Sequence, residues 1–394
     1  MLSYPFSQWL ARRGVHFAWV IVAITFLTAL TSSAALGLPG ALMQPLSREF
    51  GWDAEQISSA LAVRFVLFGL MGPFAAILME RFGLRNVICV ALVLSAVVAN
   101  RWFETHRGLV VGVLTASSAT GQLLFLPVGA WLIEHYGWRT AVMPVFIACA
   151  VVAVLAFLCM RNRPQDVALR PYGADPATPL MVAPAAKMTF VTPFLILRSV
   201  ASNRTFWILF GTFFICGLST NGLIQTHFIS LCGDSGLSAV PAASVLAMMG
   251  AFDLFGTILS GWLSDRYDNR KLLFWYYGLR GLSLFWLPYS EFTLYGLSLF
   301  AMFYGLDWIA TVPPTVKLVG ATFGRERAGM VFGWIFAGHQ LGAAVAAYGA
   351  GRIRTLMLTY NPALFAAGAA CLVAALMVLA IQRQKAAVAT AQPA

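Results

Sequence analysis

The sequence predicts an all-α polytopic membrane protein, and three observations lead to this fold class. Of the 394 residues, 60% are hydrophobic and only 10% are charged, a composition typical of membrane proteins. The apolar residues occur in long runs that are separated by short charged clusters. A helix needs about 20 apolar residues to cross a bilayer core of about 30 Å, and ten of the runs come close to or exceed that length.

The ten predicted spans divide the chain into membrane crossings and connecting loops. They are residues 17–42, 56–79, 109–133, 140–160, 205–228, 239–263, 272–288, 294–318, 328–350 and 361–381. A further apolar segment, 87–99, supplies only about 20 Å of helix at 1.5 Å per residue, which is too short to cross comfortably. Both of its flanks are basic, so we expect a re-entrant or surface-lying helix with both ends in the cytoplasm.

Basic residues recur in the loops on one side of the spans. The net charge of +11 raises the question of nucleic-acid binding. Charge that alternates with apolar spans is better explained by the preference of cytoplasmic loops for Lys and Arg. We therefore expect the lipid bilayer, and no nucleic acid, as a partner, and both termini in the cytoplasm.

Motifs of common enzymes and metal sites do not occur in the sequence. The six cysteines form no CxxC pair, which argues against a metal site and a disulfide framework. The sequence has no HExxH motif, no phosphate-binding glycine loop and no nucleophile spaced from a base. We expect no enzymatic activity, no bound metal and no cofactor.

A polar stretch rich in Pro and charge, residues 161–204, divides the chain. We expect an N-terminal transmembrane bundle in residues 1–160, with four full spans and the short segment 87–99. A six-helix C-terminal bundle should occupy residues 205–383. Residues 161–204 then form a central cytoplasmic loop, and residues 384–394 form a cytoplasmic tail.

The two halves resemble each other, with an offset that changes along the chain. In the first half "MERFGLRN" matches "GWLSDRYDNRK" of the second, which pairs Glu80 with Asp265 at an offset of 185. Later, "HRGLVVGVLTASSATG" matches "RAGMVFGWIFAGHQLG", which pairs Gly121 with Gly342 at an offset of 221. The offsets differ by 36 residues, which predicts that the first half lacks about one helical hairpin. The junction falls near Ser95–Ala96, and the missing segment corresponds to residues 281–316.

Two homologous halves, a central loop and a "DRxxxRK"-type loop after the second span of each half resemble the major facilitator superfamily. The stretches "RWFETHRGLVVGVLTASSATGQLLFLPVGAWLIEHYGWR", "FGTILSGWLSDRYDNRKLLFWYYGLRGLSL" and "GLDWIATVPPTVKL" look like its bacterial monocarboxylate-transporter-like branch. The resemblance implies two pseudo-symmetric six-helix bundles, a central substrate cavity, alternating access and a bacterial inner membrane. Relative to this family, the chain has a deletion of about 36 residues across the third and fourth helices, and the fourth helix lines the family's cavity.

The resemblance also implies gating roles for the loop after the second span of each half. The matching residues are Glu80, Arg81, Gly83 and Arg85 in the first half, and Gly261, Asp265, Arg266, Arg270 and Lys271 in the second. A small residue lets two helices approach closely, and the acid can pair with basic groups or with the positive end of a neighbouring helix. In the first half Ala76 stands where the family usually has glycine.

Ionisable residues at membrane depth are costly and mark candidate transport sites. Asp253 and Arg280 lie roughly 14 to 18 Å from the cytoplasmic edge at 1.5 Å per residue. We expect them to form an ion pair near the midplane, either in the pathway or purely structural. In the family an arginine follows the acid of the eighth helix by one turn, but Thr257 holds that position here. Asp307 and His339 also lie near mid-span, so Asp253, Asp307 and His339 are the candidates for proton coupling; the alternatives are a helix-bonded Asp307 and a His339 held in packing.

Other polar residues within the spans complete the candidates. Asn221 and Gln225 are spaced i, i+4 on the seventh helix, where they either bind polar substrate atoms or bond between helices. Pro313–Pro314 lack N–H groups, so we expect a kink that frees backbone carbonyls. Lys317 is expected to snorkel to the membrane edge rather than bind a ligand. Arg64 in the second span either attracts anions or anchors at the outer headgroups.

Arg280 and Arg64 within the spans favour an anionic substrate, because a guanidinium group can engage the substrate's carboxylate with two hydrogen bonds. We predict a secondary active transporter of a small organic anion, monocarboxylate-like, that is proton-coupled or an exchanger and acts as a monomer. Two alternatives stay open. One is an exporter of drug-like amphipathic compounds, suited to the 13% aromatic content, and the other is a transport-inactive deletion variant.

Overall fold

The computed structural model describes residues 3–74, 102–161, 163–174 and 189–382. Over these ranges the chain is helical and contains no strand, and the predicted all-α class is confirmed. The first half contains α1 (Ser3–Arg12), α2 (Ala18–Phe50), α3 (Ala54–Met71), α4 (Arg107–Tyr136) and α5 (Trp138–Cys159). After these come α6 (Thr192–Val200), α7 (Arg204–Gly217), α8 (Thr226–Asp234), α9 (Ala239–Arg266), α10 (Asn269–Trp286), α11 (Leu294–Leu306), α12 (Val312–Phe323), α13 (Arg325–Met357) and α14 (Asn361–Leu379).

The predicted spans correspond to these helices, with shifts at the ends and two exceptions. Among the described residues, seven helical stretches are long and apolar enough to cross a bilayer. The span predicted at 294–318 is divided between α11 and α12, because residues 307–311 leave the helix. The short segment 87–99, and the part of the span 56–79 that follows Phe74, lie outside the described residues.

A π-helical segment connects α7 to α8. It runs from Leu218 to Gln225, and the Thr226 hydroxyl donates to the Asn221 carbonyl oxygen, five residues earlier, at 2.7 Å. With the two flanking helices it forms one apolar stretch of 31 residues, Arg204–Asp234. Single π-helical turns are rare and occur frequently at functional sites, so this segment directs attention to the helices around it.

The helix ends preserve the two offsets of the sequence repeat. Asp53 occupies the N-cap of α3 and Ser238 that of α9, which is the offset of 185 found in the sequence. Gly137 ends α4 and Leu358 ends α13, both with positive φ, which is the offset of 221. The same elements therefore recur in both halves in the register of the sequence repeat.

The two halves meet mainly through two helix pairs, α3 with α13 and α4 with α9, and α2 also contacts α8. At one end of α3, Gly351 of α13 approaches Ser58, and just past the other end Gly333 of α13 approaches Pro73. Glycine allows this close contact because it has no side chain to separate the helices. On the other side, apolar residues of α4 such as Leu126 join the same hydrophobic core as α9.

Helices α9 and α11 also approach each other closely at a glycine. A methyl group added to Gly256 would lie 1.8 Å from the carbonyl oxygen of Leu306, so a side chain does not fit there. Among the described residues, no atom lies within 4 Å of a methyl group added to Gly261. The close approach expected at Gly261 is therefore not found there; it occurs at Gly256, where α9 passes the end of α11.

We expect Gly256→Ala to lower the stability of the protein strongly, because α9 and α11 would have to separate to admit the methyl group. Gly261→Ala on the same helix is the matched control and should be tolerated, since alanine has the higher helix propensity. Thermal unfolding of the detergent-solubilised variants, followed by size-exclusion chromatography, measures both effects. Equal unfolding temperatures for the two variants would contradict this packing.

Candidate functional site

The break between α11 and α12 frees backbone groups that a continuous helix would satisfy. Pro313–Pro314 carry no N–H, so the carbonyl oxygens of Ile309 and Ala310, four residues earlier, lack their helical donors. The Ala310 oxygen accepts a hydrogen bond from the Ser260 hydroxyl of α9 at 2.5 Å. The Ile309 oxygen accepts one from the N–H of Val312 at 2.8 Å. The carbonyls that we expected to be freed are thus satisfied inside the protein, as the membrane interior requires.

Arg280 of α10 binds the break from the opposite side. Its Nε donates to Oδ2 of Asp307 at 2.8 Å, and its Nη2 donates to the carbonyl oxygens of Asp307 and Trp308. Its Nη1 donates to the Cys216 sulfur of α7 at 3.0 Å. The Arg280 side chain has 0% exposure, and these four contacts use most of the five N–H donors of a guanidinium group. Little capacity is left for a ligand.

Asp253 of α9 binds the same irregular segment. Its Oδ1 accepts from the backbone N–H of Ile309 at 2.8 Å and from the hydroxyl of Thr257 at 3.0 Å. Asp307 belongs to the break and Asp253 contacts it, and both carboxylates are buried. The second oxygen of Asp307, Oδ1, is buried and has no hydrogen-bond partner in the described part of the chain. That oxygen is available for a proton.

Cys216 connects this cluster to α13. Besides Arg280, its sulfur contacts the Thr311 hydroxyl at 3.4 Å and interacts with the ring of His339. His339 is buried and stacks on Phe336, and its Nδ1 lacks a hydrogen-bond partner among the described residues. One set of polar contacts therefore runs from His339 through Cys216 and Arg280 to the broken helix.

The ion pair of Arg280 differs from the one that the sequence suggested. We expected Arg280 to pair with Asp253, whereas it pairs with Asp307, and Asp253 bonds to backbone and to Thr257. The physical reason is the helix break, which presents a carboxylate and two free carbonyl oxygens to the guanidinium group at one place. A buried charge is stable only where its hydrogen-bonding capacity is satisfied in this way.

Sequence analysis missed three residues of this cluster: Cys216, Ser260 and Thr311. Each lies in an apolar run, where small polar side chains commonly bond to their own helix, and sequence spacing does not distinguish the exceptions. Pro314 gave one indication. A proline inside a span has no N–H, so the carbonyl oxygen four residues earlier needs a hydrogen-bond donor from another element. That indication predicts the need for a residue such as Ser260 but not its identity.

The polar residues of the seventh helix are placed by the π segment. Asn221 is partly buried and Gln225 is buried, and a methyl group on Gly40 of α2 would lie 2.7 Å from the Gln225 carbonyl oxygen. Asn221 and Gln225 were expected to share one face of an α-helix at the spacing i, i+4. That spacing does not hold here, because a π-helix bonds i to i+5. His227 is fully buried and hydrogen-bonds the Ala347 carbonyl oxygen at 2.9 Å, which is a structural contact between α8 and α13.

The loop predicted to act in gating in the second half forms ion pairs near the end of α9. Asp265 pairs with Lys317 of α12 at 2.8 Å, which holds the lysine away from the buried cluster. Arg270 pairs with its neighbour Asp268 at 2.6 Å and donates to the Ile381 carbonyl oxygen. The residues predicted to act in gating in the first half lie outside the described residues; they are Glu80, Arg81, Gly83 and Arg85.

At the opposite end of the molecule, carboxylates join the two halves. Glu134 of α4 accepts from the N–H groups of Ala239 and Val240 at 3.1 and 3.3 Å, and so satisfies donors at the N-terminus of α9 that have no partner within the helix. Glu55 of α3 accepts from the Tyr348 hydroxyl of α13 at 2.6 Å. These contacts connect the two halves at the end of the molecule that contains the loop between α2 and α3.

The chain is similar to known membrane transporters. The sequence model for the Major Facilitator Superfamily matches residues 24–100 and 95–347. The uncharacterised MFS-type transporter YcxA of Bacillus subtilis (strain 168) is 23% identical, over 86% of this chain and 89% of YcxA. Monocarboxylate transporter 13 of Bos taurus is 24% identical over 68% of this chain. The match spans 59% of that transporter, so this chain covers little more than half of it.

A solved structure shares the fold. The inward-open conformation of the xylose transporter XylE from E. coli superposes with a TM-score of 0.67 at 13% identity. The match covers 94% of this chain and 98% of that chain. At this level of identity the likeness concerns the arrangement of helices.

We expect Arg280→Gln and Asp307→Asn each to destabilise the protein by about 3–5 kcal/mol, because removing one partner of a buried pair leaves the other charge uncompensated. The double variant should lose less than the sum of the two single variants, since neither charge is then left alone. Unfolding of the purified variants in mixed micelles measures the free energies.

The exposed ion pair near the end of α9 provides the control for this cycle. Lys317→Gln should change the free energy of unfolding little, because exposed ion pairs contribute little to stability. If the effects of Arg280→Gln and Asp307→Asn simply add, the direct interaction between the two residues is contradicted.

Proposed function

Because the chain belongs to the Major Facilitator Superfamily, we propose that it carries a small organic anion across a bacterial inner membrane by alternating access, coupled to protons or to exchange. The family and the similar proteins are transporters, so the protein is a transporter and not an enzyme. The name of monocarboxylate transporter 13 supports a carboxylate substrate. The positive charge of the predicted cytoplasmic loops supports an orientation with both termini inside.

The observation that carries the coupling is the pair of buried carboxylates at the broken helix. Asp307 binds Arg280 through one oxygen and keeps the other free of described partners, so it can take up a proton without first losing the arginine. A protonated Asp307 is a weaker partner for a buried cation. In this proposal, protonation therefore loosens the contact between α10 and the break and lets α11 and α12 move relative to each other.

Arg280 serves the fold rather than the substrate in this proposal. We expected its guanidinium group to engage the carboxylate of the substrate, but the side chain is fully buried and bound to Asp307, Trp308 and Cys216. Displacing these partners would leave two backbone carbonyls unsatisfied in the membrane interior, which is costly. The substrate carboxylate is therefore bound by other residues.

A second candidate, a transport-inactive shortened chain, is favoured by the change of offset in the repeat. The family match falls into two parts that meet at residues 95–100, next to the predicted junction at Ser95–Ala96. The alignment with YcxA is 386 positions long and includes 86% of the 394 residues of this chain, which is about 339 residues. About 47 positions of the alignment are therefore gaps in this chain. Both observations support a deletion of about 36 residues in the first half.

Uptake of labelled monocarboxylates into proteoliposomes tests the transport proposal. We expect uptake driven by an acidic exterior, and we expect folded Asp307→Asn protein to show strongly reduced uptake, because an amide does not change protonation where the carboxylate does. Exchange of carboxylate against carboxylate should survive in this variant. Glu291→Gln, which removes an exposed carboxylate from the loop before α11, is the control and should keep both activities.

The same assay separates the two candidates. Uptake by the native chain contradicts the transport-inactive candidate. If the native chain takes up no carboxylate, but a chain with a helical hairpin restored between Ser95 and Ala96 does, the transport proposal is wrong for this chain.

A further inference from the structure

A groove lies between α2 and α3 of the first half. It has a volume of about 400 Å³ and is lined mainly by apolar side chains of the two helices, among them Pro39, Leu42, Leu46, Ile57, Ala60 and Leu61. Small-molecule sites in proteins have volumes of about 300–1,000 Å³. The groove is therefore large enough for a small ligand.

The repeat explains why this groove is open. At the offset of 185, Ala60 and Leu61 correspond to Val245 and Leu246 of α9, which are 4% and 1% exposed and share a core with Phe300 of α11. Ala60, in contrast, is exposed, and Leu61 is half-buried. Among the described helices of the first half, none takes the place of α11. The counterpart of α11 falls in the hairpin that the repeat predicts to be missing.

Arg64 lies next to the groove, just beyond the residues that line it. It is one turn beyond Ala60 on α3, and its Nη1 donates to the carbonyl oxygen of Leu36 at 3.4 Å, one turn before Pro39 on α2. Its guanidinium group therefore lies between the same two helices. By helical rise from the N-cap Asp53, it is about 16 Å from the end of α3, which is about half the thickness of a bilayer core.

The guanidinium group of Arg64 lies over the Phe65 ring at 4.7 Å, but no carboxylate of the described residues balances its charge. None of the ion pairs among those residues includes Arg64, and its Nε is buried without a hydrogen-bond partner there. An arginine at the middle of a membrane span is costly and is a functional-site candidate by default. A carboxylate ligand would supply both the missing charge and two acceptors in the geometry that a guanidinium group prefers.

We propose that the groove between α2 and α3 binds an amphipathic monocarboxylate, with the carboxylate on Arg64 and the apolar part along the groove walls toward Trp52. This inference rests on the proposed transport of an organic anion and assigns its binding site. The cation lies one turn beyond the apolar walls, between the same two helices, which matches a ligand with one charged and one apolar end. A neutral analogue has the same apolar contacts but lacks the partner for Arg64.

Binding of 4-phenylbutanoate to the full chain in nanodiscs, measured by isothermal titration calorimetry beside its neutral amide, tests the assignment. Arg64→Gln should weaken binding of the carboxylate about tenfold or more, because it removes the charge-assisted hydrogen bonds, and should leave binding of the amide unchanged. Ala60→Phe should weaken both ligands, because the ring fills the groove. Arg48→Gln is the matched control: it removes an exposed arginine from the end of α2 and should alter neither affinity more than about twofold, since exposed charges contribute little.

Three results would overturn the assignment. The first is that the native chain does not bind 4-phenylbutanoate. The second is that folded Arg64→Gln protein, checked by its unfolding temperature, binds it like the native chain. The third is native mass spectrometry in which the native chain retains a phospholipid that Ala60→Phe releases, because the groove would then be a lipid site.

The outcome also distinguishes this inference from the transport proposal. If a carboxylate is transported and Arg64→Gln leaves both binding and uptake unchanged, the groove is excluded and transport stands. If Arg64→Gln weakens binding but no carboxylate is transported, the groove stands as a binding site and transport is excluded.

Discussion

A transmembrane helix that breaks in mid-span must have its backbone carbonyls satisfied within the protein, and Arg280 does this at residues 307–308. Its charge is balanced by the Asp307 carboxylate, while Ser260 and Asp253 bind the carbonyl and N–H groups on the other side of the break. Arg280 also bonds to Cys216 of α7, which interacts with His339 of α13. One set of polar contacts therefore joins α7, α9, α10 and α13 to the break, and any movement of α11 against α12 must change it.

The two halves share the same arrangement of helices but differ in what packs beside α3 and α9. In the second half, α11 packs on α9 and closes the space beside it. In the first half, the corresponding face of α3 borders an apolar groove, and Arg64 lies just beyond it. The protein thus has one arginine, Arg280, that is bound by a carboxylate, a sulfur and backbone carbonyls, and one, Arg64, that pairs with no carboxylate of the described residues. In our two proposals, the second half therefore has a structural and coupling role and the first half binds the ligand.

Much of the fold was predictable because apolar length and helix ends are local properties of the sequence. The spans follow from bilayer thickness, the repeat register was preserved at the caps of α3 and α9, and the break followed from the missing N–H groups of Pro313–Pro314. The partner of Arg280 was not predictable, because it depends on backbone carbonyls that the break exposes. The π segment was missed for a related reason: its residues keep an ordinary apolar pattern, and only the i to i+5 bonds reveal it. The roles of Glu80 and Arg81 stay predictions.

We propose that Arg280 holds the broken helix while Arg64 binds the anion. A structure of the protein with 4-phenylbutanoate bound, in a lipid environment and at a resolution that shows side chains, would test both roles at once. We expect the carboxylate beside Arg64 in the groove between α2 and α3, with Arg280 still bound to Asp307 and the carbonyl of Trp308. A carboxylate bound to Arg280, with Asp307 displaced, would contradict it.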